Sequence, residues 1–224
     1  PAPDVGGAMT DAVVPALAGP VLILGLGVAG RSALAACREL GVEAVTVDPG
    51  QADADHAGLE GLDLRRFAVA MSSPGFAPHS PEVRTIADAG VEIVSEMEFA
   101  WRVRTPGIPW VLVTGTNGKS TTTAMIAHIL QSCGRDALAA GNIGRAVLDL
   151  DPPTSQRVHV FELSSYQLDL TDSFHPRVGV FLNLTPDHLD RHGDMAGYMK
   201  AKERLFRNMT AEDVAVVGVD DDHG

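Results

Sequence analysis

Short apolar runs with no polar alternation recur along this chain, Val21-Leu22-Ile23-Leu24 and Trp110-Val111-Leu112-Val113 among them. A strand of that kind has no face to offer water, so it demands a sheet covered on both sides. A parallel sheet meets the demand, because each strand returns through a helix that lies over one face. The first run ends at Gly25 and leads into an Ala-rich stretch to Leu40 that stops at Gly41, which makes one strand–helix unit. Further strands are predicted at Ala44–Val47, Ala68–Met71 and Val91–Val94, with a helix over Pro81–Ala89 set by its leading Pro and by Gly90 behind it.

The turn-rich piece Arg104–Pro109 carries two prolines that resist both a helix and a central strand, so the predicted boundary divides the chain into 1–107 and 108–224. The alternation then resumes, with a helix at Ser120–Ser132 stopped by Gly134, strands at Val158–Phe161 and Val178–Leu182, a helix near Tyr198–Arg207 and a strand at Val214–Val217. The expectation is an α/β chain of two parallel-sheet units. Because it stops at Asp220–Gly224, just after a strand with no helix to cover it, the second unit is expected to be incomplete.

Charge narrows the function. Asp and Glu number 29 against 17 Lys and Arg, a formal charge of -12, and so acidic a surface repels phosphate backbones and anionic lipid, which argues against nucleic acid and membrane partners. The most apolar stretch, Val21–Gly30, has about half of the ~20 residues that a bilayer span needs. The first twenty residues lack the basic start of a secretory signal and read as a loose arm. Cys37 and Cys133 stand far apart, supporting neither a disulfide framework nor a thiolate zinc site, and a reducing cytoplasm is expected.

Gly25-Leu26-Gly27-Val28-Ala29-Gly30 fits G-x-G-x-x-G between a strand and a helix, with Asp48 ending the next strand where a dinucleotide's ribose acceptor would sit. Alone, the pattern points to a nicotinamide dinucleotide. Its physics is broader, since glycines that let an anion approach a helix N-terminus serve any nucleotide diphosphate. Packing of helix on strand is the plainer alternative.

Thr114-Gly115-Thr116-Asn117-Gly118-Lys119-Ser120-Thr121 stands between the second apolar run and a helix, the context of a phosphate-cradling loop. The full Walker spacing puts glycine at 113, where this chain has Val113, and its first glycine comes late, at Gly115. Successive amides can still enclose phosphate oxygens while Lys119 neutralises the terminal phosphates and Ser120 offers a hydroxyl to Mg²⁺.

Glu162 follows the strand Val158–Phe161 at the sheet edge where such folds bind ligands, and a carboxylate there can hold the nucleotide's metal or merely cap a helix. Polar residues crowd Asn183–His192, where His188 can serve a metal or a phosphate with Asp187 or Asp190 to orient it, or can simply be solvated. Spacing alone selects neither Lys202 nor the loop Ser72–Gly75. Three classes therefore compete: an ATP-dependent ligase, a nicotinamide dehydrogenase and a nucleotide switch.

Together these motifs, with Gly141-Asn142-Ile143-Gly144 and Glu162-Leu163-Ser164-Ser165-Tyr166-Gln167-Leu168, resemble the Mur ligases, and most closely their D-glutamate-adding branch. The resemblance runs from about Val21 to the end. It implies a Rossmann-like first domain that binds a UDP-sugar, a P-loop-type central ATPase domain, and a third domain absent from this sequence, so that the piece alone is expected to bind the UDP-sugar but to ligate nothing. It implies ATP, UDP-N-acetylmuramoyl-L-alanine and D-glutamate as substrates, joined through an acyl phosphate. ATP would lie on Gly115 to Thr121 with Lys119 on its phosphates. Ser120 and Glu162 would hold one Mg²⁺, and His188 with a carbamylated Lys202 a second. Gly27, Val28, Asp48, Ser73, Gly75, Asn142 and His188 would contact the UDP-sugar. The chain departs from the family after Asp48, with Pro49-Gly50 where Thr-Arg is expected near the uracil.

Overall fold

A computed structural model describes residues 17, 19–77, 79–103, 108–142, 144–149 and 157–220. The predicted arm up to residue 16, most of the predicted boundary turn at 104–107, Ile143 and residues 221–224 lie outside the described residues.

The first half runs β1 (Val21–Leu24), α1 (Val28–Glu39), β2 (Ala44–Val47), β3 (Val69–Ser72), α2 (Pro81–Asp88), β4 (Ile93–Val94) and α3 (Glu96–Val103). Its four strands form a parallel sheet in the order β2-β1-β3-β4. The second half runs β5 (Trp110–Thr114), α4 (Lys119–Ser132), β6 (Ala137–Gly141), β7 (Val158–Glu162), α5 (Ser165–Asp169), β8 (Val178–Phe181), α6 (Leu189–His192), α7 (Met195–Glu203) and β9 (Val214–Val217). These five strands are again parallel, in the order β6-β7-β5-β8-β9.

Both sheets show the two-sided burial that the apolar runs demanded. Leu22 and Leu24 pack on one face of the first sheet with Phe67 and Ile86, while Val21 and Ile23 pack on the other with Ala33, Met71 and Phe99. On β5, Trp110 and Leu112 face one core, and Val111 and Val113 face another. Helices α1, α2 and α4 run out at Gly41, Gly90 and Gly134, each turning left-handed, and in all three cases four residues separate the last helical residue from the next strand.

The structure adds elements that periodicity missed. Helix α3 is a wedge: Phe99 belongs to the first sheet's core, whereas Met97 and Ala100 join the cluster around Trp110 and Phe161. Its Ser95 cap donates a backbone N–H to Leu170 O at 2.8 Å, and the fully buried Glu98 accepts from Asp172 N at 2.9 Å and from Ser173 Oγ at 2.5 Å. Strand β6 and helix α5 were also unforeseen, although Ser164 and Gln167 form a capping box that the sequence displays. The helix predicted near Tyr198–Arg207 starts earlier, at Met195, because Asp194 caps it by accepting Gly197 N–H at 2.8 Å. It closes with a 3-10 turn over Arg204–Phe206. No helix among the described residues is long and apolar enough to cross a membrane.

Candidate functional site

Every ligand-bearing loop leaves the C-terminal end of a strand. In the first sheet the chain departs on opposite sides of β1 and β3, and between them opens a cleft of ≈ 340 Å³. Val28 and Ala29 line it after β1, Ser73, Pro74 and Gly75 after β3, and Glu96 after β4. The second half supplies the opposite wall, Gly141, Asn142, Gly144 and Ala146 after β6 and Gln167 from α5. Four of the predicted sugar-nucleotide residues, Val28, Ser73, Gly75 and Asn142, thus meet in one cleft. Gly27, Asp48 and His188 are not among its lining residues.

The glycine loop has two roles, divided between its residues. A Cβ on Gly30 would fall 1.9 Å from Gly25 O, so Gly30 lets α1 sit close against β1. A Cβ on Gly27 would meet nothing within 4 Å, and packing does not account for it. Gly27 starts α1 without a side-chain cap, leaving amides at the helix N-terminus beside the cleft, and Val28 is 71% exposed there. Asp48 staples this loop, its carboxylate accepting Leu26 N–H and Gly50 N–H, both at 2.7 Å.

The phosphate loop leaves β5 at Gly115, which has φ 151°, and enters α4 at Gly118, which has φ 81° and no capping side chain. The glycine comes late because Val113 is still inside the strand, fully buried and paired in register with Glu162. Asn183, at the end of β8, grips the loop: its Oδ1 accepts the Thr116 and Asn117 N–H groups at 3.2 and 2.9 Å, and its Nδ2 donates to Asn117 O. Those two amides, expected to cradle phosphate, bond to Asn183 here, while the amides at the N-terminus of α4 have no capping side chain. Lys119 Nζ donates to Thr116 O at 2.9 Å.

Glu162 joins the loop to the cleft. Its Oε2 accepts Ser120 Oγ at 2.7 Å and its Oε1 accepts Asn142 Nδ2 at 3.2 Å. A carboxylate oxygen beside a hydroxyl suits Mg²⁺, which binds few protein ligands and fills its shell with water and phosphate. Among the described residues no group of three or more His, Cys, Asp and Glu forms a protein-only metal cage.

On the other side of the loop stands Tyr198, buried, its hydroxyl 3.3 Å from Thr116 Oγ1. Lys202 Nζ lies 4.7 Å from the Tyr198 ring centre and donates to Gly115 O at 2.7 Å. The Lys202 side chain is almost wholly buried, and burial, reinforced by the charge of Lys119, pulls its amine down to about 7. His188 is held in the left-handed region at φ 51°, with Tyr166 Oη 3.1 Å from Nδ1 and Asp187 Oδ2 3.3 Å from Nε2. As an ammonium, Lys202 has no lone pair for a metal.

The residues that sequence reasoning did not select are Glu96, Tyr166, Gln167, Asn183 and Tyr198. Asn183 and Glu96 were open to selection, since both directly follow or closely follow strands at the binding edge, whereas Tyr198 depends on where α7 packs.

A model of the Mur ligase middle domain matches residues 113–224. The chain belongs to the Mur ligase family. Curated relatives named UDP-N-acetylmuramoylalanine–D-glutamate ligase include that of Nitrobacter hamburgensis, 44% identical over 219 residues, covering 90% of this chain and 46% of the relative. The protein of that name from Rhizobium johnstonii is 45% identical over 218 residues, covering 91% and 46%. The chain spans about half the length of the curated relatives it matches. Among solved structures, the UDP-N-acetylmuramate:L-alanyl-gamma-D-glutamyl-meso-diaminopimelate ligase from Neisseria meningitides aligns at a TM-score of 0.62 with 20% identity, over 92% of this chain and 72% of that one, a likeness of fold. Membership of this ligase family replaces the dehydrogenase reading of the glycine loop.

Proposed function

We propose that this chain is the sugar-nucleotide- and ATP-binding part of an ATP-dependent ligase that joins D-glutamate to UDP-N-acetylmuramoyl-L-alanine, with residues 1–107 holding the sugar nucleotide and 108–224 holding ATP. The observation that carries the reading is the continuous link from Asn142 in the cleft, through Glu162, to Ser120 at the phosphate loop. One carboxylate thereby sits between a sugar-sized cleft and a phosphate site, the adjacency that phosphoryl transfer between two bound anions requires. The names of the relatives support the choice of D-glutamate. Use of ATP carries a cytoplasmic location with it.

In this reading the exposed N-terminus of α1 receives the sugar nucleotide's diphosphate, and Ser73, Gly75 and Asn142 bind along its muramoyl end. The amides at the start of α4 take the ATP phosphates, with Lys119 swinging from Thr116 O onto them. The γ-phosphoryl group passes to the alanyl carboxylate as ADP leaves; the amine of D-glutamate then attacks the acyl carbon and phosphate departs. Ser120 and Glu162 would hold one Mg²⁺, and bound there it supplies charge neutralisation for the transferring phosphoryl oxygens. The neutral amine that burial gives Lys202 near pH 7 is the form that adds to carbon dioxide, losing a proton to become a carbamate anion. In that form it would join His188 at a second ion.

Calorimetric titration of the chain tests the reading. Saturable binding of both UDP-N-acetylmuramoyl-L-alanine and ATP is expected. Saturable binding of NADH with none of the UDP-sugar would overturn it.

A further inference from the structure

Among the described residues that line the cleft Glu96 has the one ionisable side chain, and nothing in the proposed chemistry uses it. It is 4% exposed, stands at the first position of α3 and accepts Val147 N–H on Oε1 at 3.0 Å, across the seam between the two halves. That is the hydrogen bond its carboxyl group makes among the described residues, and its side chain also lines the cleft. The neighbouring walls, Val28, Ser73, Gly75, Asn142 and Gln167, carry no charge to balance an anion.

An ionised carboxylate here would face a ligand that is itself anionic, and the two would repel at low dielectric. A protonated carboxyl reverses the interaction, because its O–H donates. We propose that Glu96 is a ligand-binding residue of the cleft, presenting a protonated carboxyl that donates a hydrogen bond to an oxygen of the bound sugar nucleotide. The proposal rests on the functional reading above and adds to it a proton taken up with the ligand.

The surroundings agree. Burial pushes the Glu96 carboxyl up to about 7, against the pull of the Val147 N–H and with help from Asp149. Asp149 is the charged group on the 3-10 turn Val147–Asp149 that packs on α3. Strands β3 and β4 carry no ionisable side chain. Helix α1 brings Arg31, which is paired with Asp53, Arg38 and Glu39, both exposed, and the buried thiol of Cys37, pushed up to about 11. On α3 itself, Arg102 is paired with Glu92 and Glu98. Arg145, between the lining residues Gly144 and Ala146, has an interaction of its own, and the influences on the Glu96 carboxyl are burial, the Val147 N–H and Asp149. A ligand that accepts from the protonated form raises the carboxyl's proton affinity further, so binding weakens as pH climbs through 7, by up to about tenfold per pH unit for a one-proton linkage.

The test is titration of UDP-N-acetylmuramoyl-L-alanine into the chain at several pH values, in pairs of buffers that differ in heat of ionisation. Wild type is expected to take up a fraction of a proton on binding near pH 7 and to lose affinity above it. Glu96→Gln, neutral and still a donor, is expected to bind with that proton uptake gone and a flatter pH profile. Glu96→Ala is expected to bind at least tenfold more weakly at pH 6, and a far-ultraviolet melt identifies a variant that has merely unfolded. Proton uptake and pH slope unchanged in Glu96→Gln would overturn the assignment while leaving the functional reading intact. Absence of any UDP-sugar binding by wild type would overturn both.

Discussion

The chemistry of single side chains here depends on what burial does to charge. Lys202 lies under Tyr198 with its Nζ on Gly115 O, and its amine is drawn down to about 7, so near neutral pH the uncharged form is far more accessible than for an exposed lysine. Labelled bicarbonate is therefore expected to mark this lysine preferentially, read as a carbamate carbon signal that disappears in Lys202→Ala. In the full-length protein that variant is expected to lose at least 100-fold in rate, with partial recovery on adding short carboxylates; wild-type rates would remove Lys202 from the site. Much of this was out of reach of sequence reading. Lys119 and Ser120 announce themselves because a Lys-Ser pair opening a helix behind a glycine loop has a known electrostatic use. Lys202 looks like any basic residue on a helix until its Nζ is seen to reach Thr114 and Gly115 at the end of β5, and Glu96 looks like an ordinary acid in a helix's first turn.

Among the elements, the first strand–helix unit separates packing from binding within six residues. Gly30→Ala would drive a methyl group into Gly25 O and is expected to destabilise the chain by roughly 2 kcal/mol or more, seen as an earlier denaturation midpoint. Gly27→Ala meets open space, and its midpoint is expected to move by less than ~0.5 kcal/mol while UDP-sugar binding weakens. Equal loss of stability in both variants would show that the two glycines serve packing alike. The G-x-G-x-x-G spacing revealed this unit, but not which glycine did which task, since that depends on the 1.9 Å approach between backbone segments. Strand runs were legible because continuous apolarity has few other outlets. Strand β6 and the small helices α5 and α6 were not, because their positions come from contacts distant in sequence rather than from any periodicity.

At the scale of the molecule, the two sheets are held together by α3, and Glu98 is its pin. Burial alone would raise this carboxyl, yet donors from Ser173, Asp172 and Arg102 outweigh it and hold it below its ordinary value of 4.5. A carboxyl lowered by folding contributes stability that is present above 4.5 and is lost as pH falls through its folded value, so Glu98 strengthens the neutral-pH state and weakens in acid. Glu98→Ala is expected to cost on the order of 3 kcal/mol at pH 7 by leaving buried N–H groups without acceptors, with a smaller difference from wild type near pH 3, measured by denaturant titration. An unchanged midpoint at pH 7 would show that the apolar contacts of α3 suffice. The three helices that give out at Gly41, Gly90 and Gly134 shape the molecule in another way, because each hands over to its strand after four residues. Those hand-overs leave little spare chain at the N-terminal ends of β2, β4 and β6, whereas the loops that line the cleft leave the opposite ends of β1, β3 and β6. Substitutions in those cleft loops can therefore retune what the protein holds without disturbing the floor on which it is built.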